Sequence, residues 1–168
     1  MTPEPTLWRA TPADASELTR LRALIYEAYG ADTAVPGWWE ACERALADRL
    51  AREAETFAAV VAEDPGVAGH LLACGVGWIE AHLPGPANLT GRRGHVASMS
   101  TEPAARRRGL ARAVFAGLMC FFVERGVRRI DLRAAGMGEE LYRSFGFAEP
   151  PGVALTWCSP GSAPEPWR

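Results

Sequence analysis

The sequence predicts a mixed α/β domain, a central mixed sheet flanked by helices, in the order β-α-α-β-β-β-α-β-α-β. Three observations carry this. Apolar residues recur three or four apart in some stretches and form short β-rich runs in others. The early runs are joined by turn signals of the hairpin type, whereas the later ones are separated by helical patterns, which permits parallel neighbours. A length of 168 residues suits one domain.

Residues 7–10 read as a first strand. Thr11, Pro12 and Asp14 form a helix start, with a hydroxyl at the N-cap, proline at the first helical position and an acid at the third. The helix then buries Leu18, Leu21, Ile25 and Ala28, and Gly30 ends it. Val35-Pro36-Gly37 is a turn, and a second helix begins near Trp38 with Trp39, Cys42, Leu46 and Leu50 on one stripe. Residues 57–62 form a β-rich run stopped by Glu63-Asp64-Pro65-Gly66, and residues 67–82 form a longer one, so the two read as an antiparallel hairpin. A polar loop covers residues 83–94, and a strand follows at 95–101. The next helix buries Leu110, Val114, Leu118 and Phe121 and stops at Gly126. A strand at 129–134, a short helix at 138–145 and a return to strand from Phe147, with residues 153–158 as the last strand, complete the order. The domain therefore spans residues 1–158, and residues 159–168 form a Pro-rich C-terminal tail.

Composition excludes several classes. Apolar residues make up 48% and charged residues 23%, values of an ordinary globular chain and not of a disordered one. No apolar run approaches the length of a membrane span, and the N-terminus lacks a basic and an apolar signal region. A net charge of −2 argues against a general nucleic-acid binder. The 4 cysteines form no C-x-x-C pair and fall in apolar stretches, so they read as small buried hydrophobes in a reducing cytoplasm.

The segment carrying chemistry runs from Ser98 to Arg112. A strand passes through Pro103 into Arg106-Arg107-Arg108-Gly109-Leu110-Ala111-Arg112, which opens a helix. The first turn of a helix presents unpaired N–H groups at the positive end of its dipole, so it attracts anions. Gly109 removes a side chain where a phosphate would approach the backbone, and the three arginines add bidentate donors. These features point to a ligand bearing a diphosphate. The segment is neither a Walker loop nor a dinucleotide fingerprint, since G-K-[ST] and G-x-G-x-x-G are both missing.

Arg106-x-x-Gly109-x-Ala111 resembles the Gln/Arg-x-x-Gly-x-Gly/Ala signature of the GNAT N-acetyltransferase superfamily. Leu141-Tyr142-Arg143-Ser144-Phe145-Gly146-Phe147 resembles that family's L-Y-x-x-x-G-F segment, and the element order is similar to the GNAT fold. The resemblance implies acetyl-CoA as donor and direct transfer to an amine without a metal. It implies that backbone groups of Met99, Ser100 and Thr101 pair with the pantetheine arm, that N–H groups from Arg107 to Arg112 cradle the pyrophosphate, and that Tyr142 is the general acid near the sulfur. Many members carry an asparagine seven residues before the tyrosine; Ala135 stands there in this chain. For the general base, strand-borne Glu80 is the first candidate, with His82, His95 and Glu102 as alternatives, while His70 reads as a satisfied core residue. Trp38 and Trp78 are candidates to line the acceptor pocket, although each also suits core packing; Trp39 suits the core better. The expected enzyme acetylates a primary amine of a small molecule. A protein amine and a silent acetyl-CoA-binding module are the alternatives. A homodimer is an expectation by analogy, and no nucleic acid or membrane partner is expected.

Overall fold

The computed structural model describes residues 5–157. Its elements are β1 (Leu7–Arg9), α1 (Ala15–Ala28), α2 (Trp38–Arg52), β2 (Phe57–Glu63), β3 (Leu71–Ala81), β4 (Arg92–Thr101), α3 (Leu110–Glu124), β5 (Ile130–Leu132) and α4 (Glu139–Ser144). The strands lie in the order β1-β2-β3-β4-β5. The first three pairings are antiparallel and the last is parallel, because α3 carries the chain back over the sheet before β5.

The central strands explain why helices must cover both faces. Residues 57–62 of β2 are buried without a break. Ala58, Val60 and Ala62 join one cluster with Val114, Phe115, Leu118, Phe121 and Phe122 of α3. Phe57, Ala59 and Val61 join another with Leu18 and Leu21 of α1, while Leu46 and Leu50 of α2 pack at its margin. Alternate residues of a strand point to opposite faces, so α3 lies on one side and α1 with α2 on the other. Gly77 and Gly94 admit α3 closely: a Cβ there would meet the Phe122 ring at 2.8 Å and 2.7 Å. No described helix is long and apolar enough to cross a membrane.

The expected order of elements is found through α4, with shifted boundaries. The helix start at Thr11 holds, since the Asp14 carboxylate accepts from Thr11 N at 2.7 Å, but its first turn is 3-10 and α1 begins at Ala15. Ala28 is exposed, and Ile25 is half-buried. β3 begins at Leu71, four residues later than the apolar run, because Asp64 Oδ1 accepts from Gly66 N and Glu63 Oε1 from Gly69 N, which extends the turn. β4 begins earlier, at Arg92. No strand forms at the end of the described chain: residues 148–157 join no strand among the described residues, and Val153, Leu155 and Trp157 are 85%, 89% and 82% exposed. Alternating β-formers need a partner edge, and β5 offers one of only 3 residues. Cys158 and the expected tail at 159–168 lie outside the described residues. Cys74 is buried as expected, with its thiol pushed up to about 12 by desolvation, whereas Cys42 is half-buried and Cys120 is exposed.

One polar network ties α1 to the sheet. Glu17 accepts from Arg20 Nε at 2.7 Å and from Leu71 N at 2.9 Å, and Arg20 Nη1 reaches Glu102 at 2.6 Å. Burial alone would raise the Glu17 carboxyl, but Arg20 and the Leu71 N–H outweigh it, and the net displacement is downward. A carboxylate with a depressed folded pKa contributes stability above its unfolded pKa and loses it as pH falls through the folded value. Glu17→Gln should therefore cost about 1.5–3 kcal/mol at neutral pH, the scale of a charged hydrogen bond. Denaturant titrations should show that gap closing below the ordinary carboxylate range. A gap independent of pH would mean that the carboxylate charge is not what holds this corner.

Candidate functional site

β4 and β5 run together only briefly. The parallel register joins Gly94, His95 and Val96 to Ile130, Asp131 and Leu132. Residues 97–101 of β4 keep β3 on one side and have no strand on the other among the described residues. A bulge marks the parting. Cys74 faces Ser100 and Val76 faces Ala97, so Ser98 and Met99 together oppose Gly75. Ser98 adopts φ 52°, a left-handed conformation unusual for a side-chain-bearing residue. It is held there by contact of its hydroxyl with Arg22 and by the Cys74 thiol, which donates to its carbonyl at 3.4 Å. The result is a fixed, unpaired strand edge at Met99, Ser100 and Thr101. Such an edge can take an extended, amide-bearing ligand as an added strand.

That edge leads directly to a set of free donors. Beyond Thr101 a 3-10 turn at Pro103–Ala105 brings the chain to α3. The first bond of α3 runs from Ala113 N to the Gly109 carbonyl at 3.0 Å, so the N–H groups of Leu110, Ala111 and Arg112 have no helical partner. Those of Arg107, Arg108 and Gly109 make no backbone hydrogen bond among the described residues. Arg107 at φ 62° and Gly109 at φ 81° are both left-handed, and left-handed residues beside right-handed ones are the backbone pattern that gathers successive N–H groups into anion-binding concavities. Arg106, Arg107 and Arg108 are exposed and pair with no carboxylate among the described residues. Arg106 Nε reaches the Thr101 carbonyl at 3.4 Å. Arg112 differs: its guanidinium donates to Ser144 Oγ at 2.8 Å and lies over Phe145, so only its backbone is available.

Tyr142, on α4, is buried against Phe115 with ring centroids 5.1 Å apart. Its hydroxyl makes no hydrogen bond among the described residues. Burial pushes its pKa up, and Tyr29 at the end of α1 adds a smaller push in the same direction. The group therefore stays protonated at neutral pH. Ala135, at the position of the family's asparagine, is exposed and its carbonyl accepts from Gly138 N at 2.7 Å.

The strand candidates gather on the face that carries α1 and α2. Trp78 and His95 are directly opposed in register and stack at 5.5 Å. Trp78 Nε1 donates to Glu80 Oε1 at 2.8 Å, while Glu80 Oε2 lies 3.1 Å from His82 Nε2 and 3.0 Å from His95 Nε2. The Trp78 hydrogen bond is the main reason that the Glu80 carboxyl is held below the ordinary value. The other candidates lie elsewhere. Glu102 is engaged by Arg20 and by His70 Nε2 at 3.2 Å, in the α1 network. His70 itself precedes β3 and is satisfied between Glu102 and Glu17.

Trp38 opens α2 half-buried and meets Tyr26 edge-on at 5.8 Å and Trp39 at 6.0 Å. Trp39 is also half-buried and lies outside the two core clusters. Arg22 links this aromatic group to the bulge, since it donates to the Tyr26 hydroxyl at 2.7 Å and touches Ser98. Sequence reasoning missed Arg22 and Tyr26 beside the bulge, although their four-residue spacing on one helix face was a usable signal; it included Ser98 in the segment carrying chemistry but gave no sign of its left-handed backbone.

Comparison with known proteins agrees with this architecture. The acetyltransferase (GNAT) family model matches residues 18–147. No curated protein matches the chain. Among solved structures, a predicted acetyltransferase with acetyl-CoA from Clostridium acetobutylicum superposes with a TM-score of 0.78 at 24% identity, covering 90% of this chain and 96% of that one. A GCN5-related N-acetyltransferase from Ralstonia eutropha gives 0.76 at 22% identity, with 91% and 98% covered. Glucosamine-6-phosphate N-acetyltransferase from Arabidopsis thaliana gives 0.73 at 15% identity, with 92% and 99% covered. At these identities the solved structures share the fold, and it is the family match across most of the chain that identifies it: the protein belongs to the GNAT acetyltransferase family.

Proposed function

We propose that this acetyltransferase moves the acetyl group of acetyl-CoA to a primary amine of a small molecule by direct attack. One observation carries the reading: the edge of β4 that no strand covers leads, through one 3-10 turn, to the free N–H groups of residues 107–112. A flexible amide-bearing arm ending in a diphosphate matches that sequence of groups in order. Acetyl-CoA supplies the acetyl group as an activated thioester. On this reading, backbone groups of Met99, Ser100 and Thr101 hold the arm. The N–H groups of Arg107, Arg108, Gly109, Leu110, Ala111 and Arg112 hold the phosphates, with Arg106, Arg107 and Arg108 adding charge. Tyr142 keeps its proton at neutral pH and donates it to the departing sulfur. Glu80, flanked by His82 and His95, takes the proton that the ammonium must lose before it attacks, directly or through water. Its depressed pKa makes it a weak acceptor alone, so the adjoining imidazoles share that duty. Trp38 and Trp78 line the acceptor side with Tyr26, a surface suited to an amine carried on an apolar or cationic body.

The reading extends to an enzyme of one domain, residues 1–158, that works in the cytoplasm, forms a homodimer and uses no nucleic acid or membrane partner. Free Cys42, Cys74 and Cys120 and a net charge of −2 support the compartment and the absence of a nucleic-acid partner. Thiol release from acetyl-CoA across a panel of small amines and protein N-terminal peptides tests the reaction. Release with small amines is expected. Release with peptides alone would replace the acceptor class, and tight acetyl-CoA binding with no release from any amine would leave a binding module. Because no step assigned here needs a metal, calorimetric titration with acetyl-CoA in excess EDTA should give the same affinity as without it. Loss of binding on chelation would overturn the cradle assignment.

A further inference from the structure

We propose that Glu80, His82 and His95 form a binding site for a divalent late-transition-metal ion, zinc foremost. The three ligand atoms all lie within 4.8 Å of one another. Glu80 and His82 point to the same face of the sheet, one at the end of β3 and the other just past it, and His95 stands beside them on β4. A tetrahedral zinc bonded at its usual lengths separates its oxygen and nitrogen ligands by about 3.4 Å. Glu80 Oε2 already lies 3.1 Å from His82 Nε2 and 3.0 Å from His95 Nε2, so a few tenths of an ångström of side-chain movement suffices.

The second observation concerns His95. Its Nε2 is buried and has no hydrogen-bond partner among the described residues. Glu80 Oε2 is close, but the approach lacks the angle of a hydrogen bond. A buried imidazole nitrogen without a partner is costly. An ion between the three side chains would satisfy it, because the His95 Nε2 lone pair and a Glu80 carboxylate lone pair would then share one centre. The ligands are also held in place. Trp78 stacks on the His95 ring and its N–H fixes the other oxygen of Glu80, as outer-shell partners of metal ligands do. Arg93, opposite Glu80 in the register, forms no ion pair with it among the described residues. Two imidazoles and one carboxylate select zinc and its neighbours over magnesium or calcium, and three protein ligands leave a fourth position for water.

Zinc on Glu80 withholds that carboxylate from the acceptor's proton, so zinc should inhibit acetyl transfer and EDTA should restore it. This consequence rests on the reading of Glu80 as a base; the binding does not. The test is calorimetric titration of Zn²⁺ into EDTA-treated, desalted protein, repeated with Co²⁺ and visible absorption to report ligand geometry. One equivalent should bind. His82→Ala, at an exposed position that leaves folding intact, should weaken binding roughly tenfold or more, and His95→Ala should do the same. A Cys42→Ser/Cys120→Ser variant should bind as the parent does, which separates this site from adventitious thiolates. Absence of stoichiometric binding, or equal affinity in the parent and both histidine variants, overturns the site. Zinc that binds at one equivalent without slowing transfer upholds the site and removes Glu80 as the base.

Discussion

Tyr142→Phe should lower the single-turnover rate of acetyl transfer by about 10²–10⁴-fold, the usual contribution of a general acid, while acetyl-CoA affinity changes little. The substitution is unusually clean in this fold. The Tyr142 ring packs against Phe115 and Phe147, and phenylalanine keeps both contacts. The hydroxyl makes no hydrogen bond among the described residues, so its removal strands no buried partner. Thermal unfolding should therefore shift little. Burial pushes the phenol's pKa up, so the acid form is fully populated at neutral pH and no tuning by a neighbouring charge is required. Steady-state kcat could hide the effect if product release limits the parent enzyme; rapid-quench measurement of one turnover avoids that. A variant transferring acetyl at the parental single-turnover rate would show that water or the acceptor protonates the sulfur.

The same ring illustrates what a sequence can and cannot disclose. Tyr142 stands out because a motif surrounds it, yet nothing in the motif says that Tyr29, more than a hundred positions away, influences its hydroxyl. The element order was legible because apolar period follows which face is buried: the α3 stripe of Leu110, Val114, Leu118 and Phe121 is buried throughout. Residues 153–157 show the limit of that logic. They alternate like a strand, but a strand exists only where an edge receives it, and pairing is a property of two segments. Cys120 is a case of the same kind, since an apolar neighbourhood in sequence left it on the outer side of α3. The bulge was the least legible feature. Ser98 and Arg107 both adopt left-handed backbone where a sequence reader expects glycine, and tertiary contacts such as that with Arg22 sustain at least the first. The base candidates were legible as a list and not as a group. Only the β3–β4 register brings Glu80, His82 and His95 together beside Trp78.

Gly109→Glu should weaken CoA binding by roughly ten- to several-hundred-fold. Gly109 caps α3 at φ 81°, and no atom lies within 4 Å of where a Cβ would stand. A side chain therefore fits in space but strains the backbone, at a cost of about 1–2 kcal/mol for an ordinary residue in the left-handed region. Asparagine tolerates that region best, so Gly109→Asn measures bulk and backbone with no charge added. The glutamate then adds a carboxylate beside a diphosphate. Two unit charges at 4 Å repel by about 1 kcal/mol in water and about 4 kcal/mol at an effective dielectric of 20, and each 1.4 kcal/mol is about a tenfold change in affinity. Circular dichroism should show both variants folded, since the helix core beyond Leu110 is untouched. Salt should narrow the difference between them, because the repulsion is partly screened at this exposed turn. If folded Gly109→Glu binds CoA as tightly as Gly109→Asn at low salt, the phosphates do not sit at this helix start, and the free N–H groups of residues 107–112 serve another ligand.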